Sequence, residues 1–270
     1  SAVTKLRDGP YDTLGYEKAD HGGSVYFDGS GDYLQIPDNN GFELDGDFTI
    51  ECWFYRSAVV SGNYSAVIGG NGNSSNGWNI YITNSNGTIS FFHSSFLLTY
   101  TEGVKNGVWY HVAVTRSGTD LKLFVNGQER ASATNSSTFN QNDANAGTRI
   151  GYDINANGYF NGYVTDARVV KGTAVYTSAF TPPTAPLTAI TNTELLTCTN
   201  KNDIWDASSG NLLTKAGDVT GGGNSGTLKF GKTAVYFDGN GDNITISDLA
   251  MGSGDCTFEF WMYQNIAQSA

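Results

Sequence analysis

Two tyrosines enclose an aspartate and two asparagines in one segment of the chain, residues 152–159, and a tryptophan ends a second polar segment at residues 76–78. Aromatic rings stack on the C–H faces of sugars, and polar groups beside them hydrogen-bond the sugar hydroxyls. The two segments therefore predict a carbohydrate-binding site on loops. Its candidate residues are Trp78, Tyr152, Asp153, Asn155, Asn157 and Tyr159. Solvated turns have the same composition, and this alternative stays open.

Two aspartates could hold a metal ion. Asp28 and Asp32 flank a glycine-rich turn, and the same spacing returns at Asp238 and Asp242. Oxygen ligands that converge at a loop suit calcium, which predicts a Ca²⁺ site at Asp28 and Asp32. The alternative is turn chemistry, in which aspartate accepts a hydrogen bond from the backbone of its own turn and glycine supplies the positive φ.

The sequence shows no catalytic constellation. Retaining glycoside hydrolysis needs two carboxyl groups about 5 Å apart, but Glu51 is the only carboxylate of residues 48–55. The three histidines, His21, His93 and His111, are too scattered for a metal cluster, and His111 sits in an alternating segment where a structural role is expected. The three cysteines lack the CxxC spacing of a zinc or redox site. We therefore expect a non-enzymatic protein.

Charge and hydropathy exclude two classes of partner. The 270 residues include 15 Lys and Arg against 26 Asp and Glu, which gives a formal net charge of −11. Proteins that bind nucleic acid neutralise its phosphates with a basic surface, and this composition offers none. No apolar run reaches the roughly 18 residues that span a bilayer. We expect neither a nucleic-acid partner nor membrane insertion.

Strand signals position the candidate residues. Residues 109–115 and 121–125 alternate with the period of two that is typical of strands. Asn126-Gly127 follows the second segment, and Asn86-Gly87 lies between two further alternating segments. Because Asn-Gly accommodates the positive φ of a type I′ turn, both pairs predict tight hairpins. Short strands joined by such turns predict an all-β fold, an antiparallel two-sheet jelly-roll sandwich.

An internal repeat divides the chain. Residues 25–32 return as residues 235–242, and residues 46–55 return as residues 254–263. On one strand face the two copies differ but stay apolar, as core positions do. On the other face they are identical, which recent duplication, a shared structural contact or a binding surface would each explain. The identical positions are Thr49, Glu51, Trp53 and Tyr55.

Several segments, in order, resemble the laminin-G-like domains of the concanavalin A-like lectin/glucanase superfamily. They are YFDGSGDYL at 26–34, FTIECWF at 48–54, WYHVAVTR at 109–116, LKLFVNG at 121–127 and GYVTDARVV at 162–170. The resemblance implies a jelly roll of two curved antiparallel sheets. It also implies binding of glycans or proteins through rim loops or the concave sheet, often with calcium as the cofactor.

A narrower resemblance concerns residues 170–187, VKGTAVYTSAFTPPTAPL, which are similar to linkers of tandem units in virion structural proteins of tailed phages. It implies a structural or adhesion module of a virion, such as a fibre, capsid decoration or appendage protein, with weak multivalent sites for host-surface glycans. The implied partners are other copies of the chain, virion proteins and cell-surface glycans. The implied location is the virion surface or the extracellular space. The alternatives are a secreted or cell-surface bacterial carbohydrate-binding module and an accessory domain of a glycan-active enzyme.

The repeat and the resemblance predict the domain boundaries. We expect a lead-in segment at residues 1–21, a laminin-G-like domain at residues 22–187, and a linker with the truncated start of a second such domain at residues 188–270. The motif DASSGN at 206–211 resembles the opening motif of the family and is assigned to the second copy. The first copy lacks this motif, so either an upstream unit is missing or the segment after Pro186 completes the first sandwich.

Overall fold

The structure is a computed structural model, and it describes residues 23–37, 40–69, 77–140, 147–154, 156–199, 206–208 and 213–217. The chain divides into two compact units, residues 1–225 and residues 226–270, and every described residue belongs to the first unit. The described residues form strands and one short 3-10 helix, Asn40–Phe42. None of them lies in a helix long and apolar enough to cross a membrane.

The strands follow one another in chain order. They are β1 (Val25–Asp28), β2 (Tyr33–Ile36), β3 (Glu43–Leu44), β4 (Phe48–Arg56), β5 (Tyr64–Gly69), β6 (Asn79–Thr83), β7 (Ile89–His93), β8 (Ser95–Tyr100), β9 (Trp109–Ser117), β10 (Asp120–Val125), β11 (Gln128–Thr134), β12 (Phe139–Asn140), β13 (Thr148–Ile150), β14 (Tyr152–Asp153), β15 (Gly158–Tyr159), β16 (Asn161–Lys171), β17 (Thr193–Thr197) and β18 (Thr214–Ala216).

Two seven-stranded antiparallel sheets make up the sandwich. Sheet A has the order β1-β16-β4-β9-β10-β11, and β17 also pairs with β16. Sheet B has the order β18-β2-β13-β5-β6-β7-β8. The short pairs β3–β12 and β14–β15 lie outside both sheets. This architecture confirms the predicted all-β, antiparallel two-sheet jelly roll.

The core lies between the sheets, where the apolar face of each sheet packs against the apolar face of the other. On β4, Phe48, Ile50 and Cys52 are fully buried, and the Phe48 ring lies 6.5 Å from that of Phe91 on β7. Burying a large apolar side chain contributes about 1.5–3 kcal/mol, so this alternation fixes which face of each strand points inward. Burial also raises the pKa of the Cys52 thiol well above its usual value, as suits a core residue.

The two predicted Asn-Gly hairpins differ. Asn126 and Gly127 have φ values of 52° and 73°, which confirms a tight turn between β10 and β11. β6 and β7 pair as the predicted hairpin, but between them only Gly87 has a positive φ, so the type I′ turn predicted at Asn86-Gly87 is wrong. The connection there is longer, because the Asn86 side chain accepts the N–H of Thr88 at 3.1 Å and the Gly87 carbonyl accepts the N–H of Val104 at 2.8 Å.

A connection covers part of the outer face of sheet A. Residues 173–180, named the strap, follow β16 and cross this face as far as the β10–β11 turn. There the N–H of Phe180 donates to the Gly127 carbonyl at 2.9 Å. A Cβ at position 127 would stand 1.9 Å from the Phe180 carbonyl oxygen, so only glycine allows this approach.

Two strands come from beyond residue 187. β17 pairs with β16, and β18 pairs with β2. Leu195, Cys198 and Leu213 from this part of the chain are buried in the core. The segment after Pro186 therefore adds a strand to each sheet of the first sandwich. The second copy lies outside the described residues, and its boundaries stay predictions.

Candidate functional site

A buried carboxylate organises the outer face of sheet A. Glu51 Oε1 accepts hydrogen bonds from Arg168 Nε at 2.9 Å and Nη2 at 2.5 Å, and its Oε2 lies 3.2 Å from His111 Nε2. Burial alone would raise the pKa of Glu51, but the hydrogen bonds and charges of His111 and Arg168 outweigh it and lower this pKa. The carboxylate is engaged in structural contacts, and the histidine has the structural setting expected for it.

The strap closes over this network. The Thr49 hydroxyl donates to the Thr173 carbonyl at 2.9 Å and accepts the N–H of Val175 at 2.8 Å. The Thr115 hydroxyl donates to the Tyr176 carbonyl at 2.8 Å. The hydroxyl groups of Thr49 and Thr115 thus bind backbone groups of the strap rather than a ligand. Of the three explanations for the identical face of the two copies, a structural contact is the one that the structure supports for Thr49.

The tryptophans of the same face are buried as well. Trp53 on β4 and Trp109 on β9 are almost completely inaccessible, with Tyr55 and Tyr163 packed beside them. Sugar stacking needs an exposed ring face. In the described part of the chain, the outer face of sheet A therefore offers no tryptophan to a ligand.

The outer face of sheet B carries a stack of three tyrosines. Tyr33 projects outward from β2, because its neighbour Leu34 belongs to the core. Tyr152 and Tyr159 are register partners in the β14–β15 hairpin. Their ring centroids are 4.3 Å apart, and the ring of Tyr152 lies 5.2 Å from that of Tyr33. All three side chains are half-buried, so each ring combines a fixed position with partial access. We name them the tyrosine stack.

Arg149 on β13 supports the stack from the sheet. Its guanidinium carbon lies 5.5 Å from the ring centroid of Tyr33 and 5.8 Å from that of Tyr152. A cation over an aromatic face contributes about 0.5–2 kcal/mol, more when it is desolvated, and Arg149 is almost fully buried. The two rings are thereby held before any ligand arrives, which reduces the entropic cost of binding.

A polar cluster anchors the hairpin to sheet B. The Tyr81 phenol on β6 donates to the Asp153 carboxylate, which also accepts the N–H of Ala156 at 3.2 Å. The Asn79 amide donates to the Tyr81 hydroxyl at 3.2 Å. Burial, and then the charge of Asp153, raise the pKa of Tyr81 far above its usual value, so its phenol stays a donor. Asp153 is therefore an anchor of the hairpin.

Further aromatic rings continue from the hairpin toward β8. Tyr64 on β5 lies 5.4 Å from the Tyr81 ring and 5.6 Å from the Phe96 ring. Phe96 is 45 % exposed and also packs on Phe92 at 5.1 Å. The outer face of sheet B therefore presents aromatic surface from β2 to the edge strand β8.

The loop residues predicted to bind ligand divide into three groups. Tyr152 and Tyr159 lie in the tyrosine stack, and the exposed Asn157 accepts a weak hydrogen bond from the Tyr152 phenol at 3.4 Å. Asp153 is buried beneath the hairpin. Asn155 lies outside the described residues. The surface role of Tyr152, Asn157 and Tyr159 stays a prediction.

The prediction for Trp78 as a ligand-binding residue is wrong. Its side chain is 0 % exposed and packs in the core, 6.4 Å from the ring of Phe91. The reason is parity, because Trp78 alternates with Ile80 and Ile82, which both face the core. A ring enclosed by the two sheets cannot stack on a sugar.

Two members of the candidate site were not identified from the sequence. Tyr33 and Arg149 join the stack through the antiparallel pairing of β2 with β13, where Gln35 is the partner of Arg149. The outward parity of Tyr33 beside Leu34 was a usable signal. No sequence signal indicated the position of Arg149, because that position depends on pairing between residues more than a hundred positions apart.

The predicted calcium site has the geometry of a turn. Asp32 Oδ2 accepts the N–H of Asp28 at 2.8 Å, and Asp28 Oδ1 accepts the N–H of Ser30 at 2.6 Å. Within the described ranges, no group of three or more His, Cys, Asp and Glu side chains could hold a metal ion. Because both carboxylates already accept backbone N–H groups, the pair does not fit calcium well, and the turn alternative is favoured.

The sequence and the architecture both match known proteins. The family model described as the Concanavalin A-like lectin/glucanases superfamily, in its laminin-G form, matches residues 28–178. No curated protein matches the sequence. A protein from Bacteroides ovatus, provisionally described as carbohydrate binding, has 18 % identity and a TM-score of 0.56 over 75 % of this chain and 60 % of its own length. The chain thus spans less than two thirds of that protein.

Two other solved structures match at lower TM-scores. Domains LG4-5 of the mouse laminin α1 chain have 17 % identity and a TM-score of 0.43, over 62 % of this chain and 47 % of theirs. Domain 4 of a GH43 extracellular arabinanase from Geobacillus stearothermophilus, solved with arabinotriose, has 18 % identity and a TM-score of 0.44, over 56 % of this chain and 72 % of its own. With the family match over more than half of the sequence and the sandwich described above, the chain belongs to the concanavalin A-like lectin/glucanases superfamily and contains a laminin-G-like domain.

Proposed function

We propose that this chain is a non-enzymatic carbohydrate-binding module whose ligand lies on the tyrosine stack. The observation that carries the proposal is the set of three half-buried rings on the outer face of sheet B, spaced 4.3 Å and 5.2 Å apart. Aromatic faces of this kind bind the C–H surfaces of sugars. The proposal also agrees with the carbohydrate binding provisionally described for the Bacteroides protein, whose fold this chain shares.

The electrostatics favour neutral sugars over acidic ones. The chain carries a net charge of −11, and Arg149, the cation that contacts the stack among the described residues, is almost fully buried beneath the rings. An acidic sugar would meet a repulsive field without an accessible counter-charge. The amide of Asn157, which is exposed beside Tyr152, supplies the hydrogen-bonding group that a neutral hydroxyl needs.

A glycan array followed by calorimetry on the intact chain tests this function. We expect binding to neutral glycans that weakens about three- to tenfold in Tyr152→Ala and Tyr159→Ala, as the loss of one aromatic contact of about 0.5–1.5 kcal/mol requires. Tyr26→Ala is the matched control, because Tyr26 is also half-buried but packs on Tyr163 at 4.9 Å on sheet A. Stack variants that bind as tightly as the unchanged chain would overturn the proposal.

The biological setting that we propose is a virion. The support is the resemblance of residues 170–187 to linkers of tandem virion units and the second copy that begins near residue 235. Repeated weak sites raise avidity without any tight single contact, which suits attachment to a glycan-covered surface. Mass spectrometry and antibody labelling of purified particles would detect the chain there. Detection on a bacterial surface or in culture medium, with none in particles, would favour the secreted bacterial module instead.

A further inference from the structure

A long stretch of the chain carries no charged side chain. Residues 57–101 contain no aspartate, glutamate, lysine or arginine, although charged residues make up 15 % of the chain. The strands β5, β6, β7 and β8 all lie within this stretch and form one side of sheet B. Every strand of sheet A, by contrast, includes at least one charged residue. Sheet faces in water usually present polar and charged side chains, so a face of four neighbouring strands without charge suits an uncharged ligand. We name it the neutral face.

Aromatic rings and a hydroxyl group lie on the neutral face. The ring centroid of Phe96 on β8 lies 5.6 Å from that of Tyr64 on β5 and 5.1 Å from that of Phe92 on β7. We name these three the edge rings. Phe96 is 45 % exposed, and the other two are half-buried. Thr99, which alternates with the core residue Leu98 on β8, adds an exposed hydroxyl. The neutral face thus combines an accessible ring with a hydrogen-bonding group, and both bind sugars.

The edge rings lie on the same side of sheet B as the tyrosine stack. Tyr33 of the stack and Phe92 both point outward, because the next residue of β2 and the preceding residue of β7 belong to the core. The β14–β15 hairpin lies between the two groups, since a Cβ at Gly158 would stand 2.6 Å from the Tyr64 carbonyl oxygen. From β2 to β8 the sheet spans five strand spacings, about 24 Å. One sugar ring cannot cover this width, whereas successive sugars of one chain can.

A protein partner fits the neutral face less well than a sugar chain. A specific protein interface buries about 800 Å² on each partner around an apolar core. On the described strands β5–β8, Phe96 is the single large apolar side chain that is exposed. These strands also offer no cation to an acidic chain and no anion to a basic one. The composition therefore favours an uncharged ligand that presents both C–H surfaces and hydroxyls, as a neutral polysaccharide does.

We propose that the carbohydrate site extends from the tyrosine stack across sheet B to the edge rings, so that the protein binds a stretch of a neutral polysaccharide chain rather than one terminal sugar. The inference rests on the proposed function, because it adds a second subsite to the same face. Phe96 supplies the ring of this second subsite, with Tyr64 and Phe92 packed beside it. Because the two subsites hold one molecule, the second contact adds affinity without a second loss of translational and rotational freedom.

The dependence of affinity on oligosaccharide length tests the extended site. Calorimetry on the intact chain measures binding of neutral linear oligosaccharides of glucose, galactose, mannose, xylose and arabinose, each from one to six units. We expect affinity to rise with length. Phe96→Ala should weaken binding of the longest oligomers about three- to tenfold and leave the shortest oligomer that binds unchanged. Tyr152→Ala should weaken binding at every length. Ile190→Ala is the matched control, because it also removes an exposed apolar side chain, 40 % exposed, but lies outside sheet B.

A second variant separates the loss of the ring from the loss of packing. Phe96→Leu keeps an apolar side chain beside Phe92 but removes the aromatic face. It should keep the urea midpoint near that of the unchanged chain and weaken binding of long oligomers as Phe96→Ala does.

The outcomes distinguish the extended site from the proposed function. If Tyr152→Ala weakens binding while both Phe96 variants bind long oligomers as tightly as the unchanged chain, the extended site is wrong and the proposed function stands. An equal loss at every length in the Phe96 variants would also overturn the extended site. No loss in any variant, or no binding of any oligomer, would overturn both. Sedimentation checks the other occupant: a chain that self-associates and is dissociated by Phe96→Ala, with oligosaccharide affinity unchanged, would make the neutral face an interface between copies and overturn the inference.

Discussion

The phenol of Tyr176 donates a hydrogen bond of 2.9 Å to the carboxylate of Glu51, which joins the strap to β4. The same carboxylate accepts two hydrogen bonds from Arg168, so β4, β16 and the strap meet at one buried group. Glu51, the single carboxylate of β4, therefore binds the strap to sheet A. This arrangement covers the part of the outer face of sheet A around Glu51, His111 and Arg168.

Removing the phenol tests the fastening of the strap. Tyr176→Phe deletes a hydrogen bond to a charged group while keeping the ring that stacks on Phe180 at 3.6 Å. We expect the free energy of unfolding to fall by about 1.5–3 kcal/mol, measured by urea denaturation. Tyr100→Phe is the matched control, because its phenol donates to Glu102 at 2.8 Å in an exposed setting where little should be lost. Equal losses in the two variants would contradict the role of Tyr176.

Removing the charge of Glu51 should cost more. Glu51→Gln leaves the buried guanidinium of Arg168 without its counter-charge, and breaking a buried pair in this way costs about 3–5 kcal/mol. Glu129→Gln, which breaks the partly exposed pair with Lys122, should cost about 0–1 kcal/mol. Combining Glu51→Gln with Arg168→Met removes the unpaired charge and should restore part of the loss. A double variant less stable than Glu51→Gln alone would refute this explanation, and urea midpoints measure all three.

The same carboxylate should make stability depend on pH. The pKa of Glu51 is lowered in the folded chain because the contacts with His111 and Arg168 outweigh burial. The folded chain therefore binds this proton less tightly than the unfolded chain, whose glutamate pKa is near 4.5. The stabilisation is fully present above that pH and is lost as the pH falls through the lower pKa of the folded state.

Urea titrations from pH 7 to pH 3 measure this dependence. The difference in unfolding free energy between the unchanged chain and Glu51→Gln should be largest near pH 7 and should shrink below pH 4.5, where the unfolded glutamate takes up its proton. A difference that stays constant over the whole range would show that Glu51 titrates alike in both states.

The fold could be predicted from the sequence because it depends on local patterns. The alternation of Phe48, Ile50 and Cys52 with polar residues defines the buried face of β4, and the positive φ of Asn126 and Gly127 closes a hairpin. The tight turn at Asn86 was wrong because its side chain accepts a backbone N–H of the same loop. The conformation of this loop also depends on the hydrogen bond from the Val104 N–H to the Gly87 carbonyl, and no local sequence pattern contains that contact.

The candidate site could be predicted only in part. Tyr152 and Tyr159 were identifiable because they are close in sequence and flank polar residues. Trp78 was misassigned because residues 76–78 have the composition of a loop. The alternation of Trp78 with Ile80, which marks both as core residues, could nevertheless be read from the sequence. The contribution of Arg149 depends on strand order in sheet B, and strand order is set by packing over the whole chain.

A single methyl group should separate the hairpin from the sheet. Gly158 lies in β15, and a Cβ there would stand 2.6 Å from the carbonyl oxygen of Tyr64 on β5. Gly158→Ala must therefore push the hairpin away from sheet B, and overpacking of this kind costs about 1–3 kcal/mol. Because Tyr152 and Tyr159 move with the hairpin, glycan affinity should fall together with stability.

Gly46→Ala is the control for this change, since a Cβ at Gly46 would meet no atom within 4 Å. It should leave both the urea midpoint and glycan affinity unchanged. The near-ultraviolet circular dichroism of the tyrosines should change in Gly158→Ala alone. If Gly158→Ala lost stability but bound glycan as before, the ligand would have to lie elsewhere, because the displaced hairpin carries two of the three rings in the tyrosine stack.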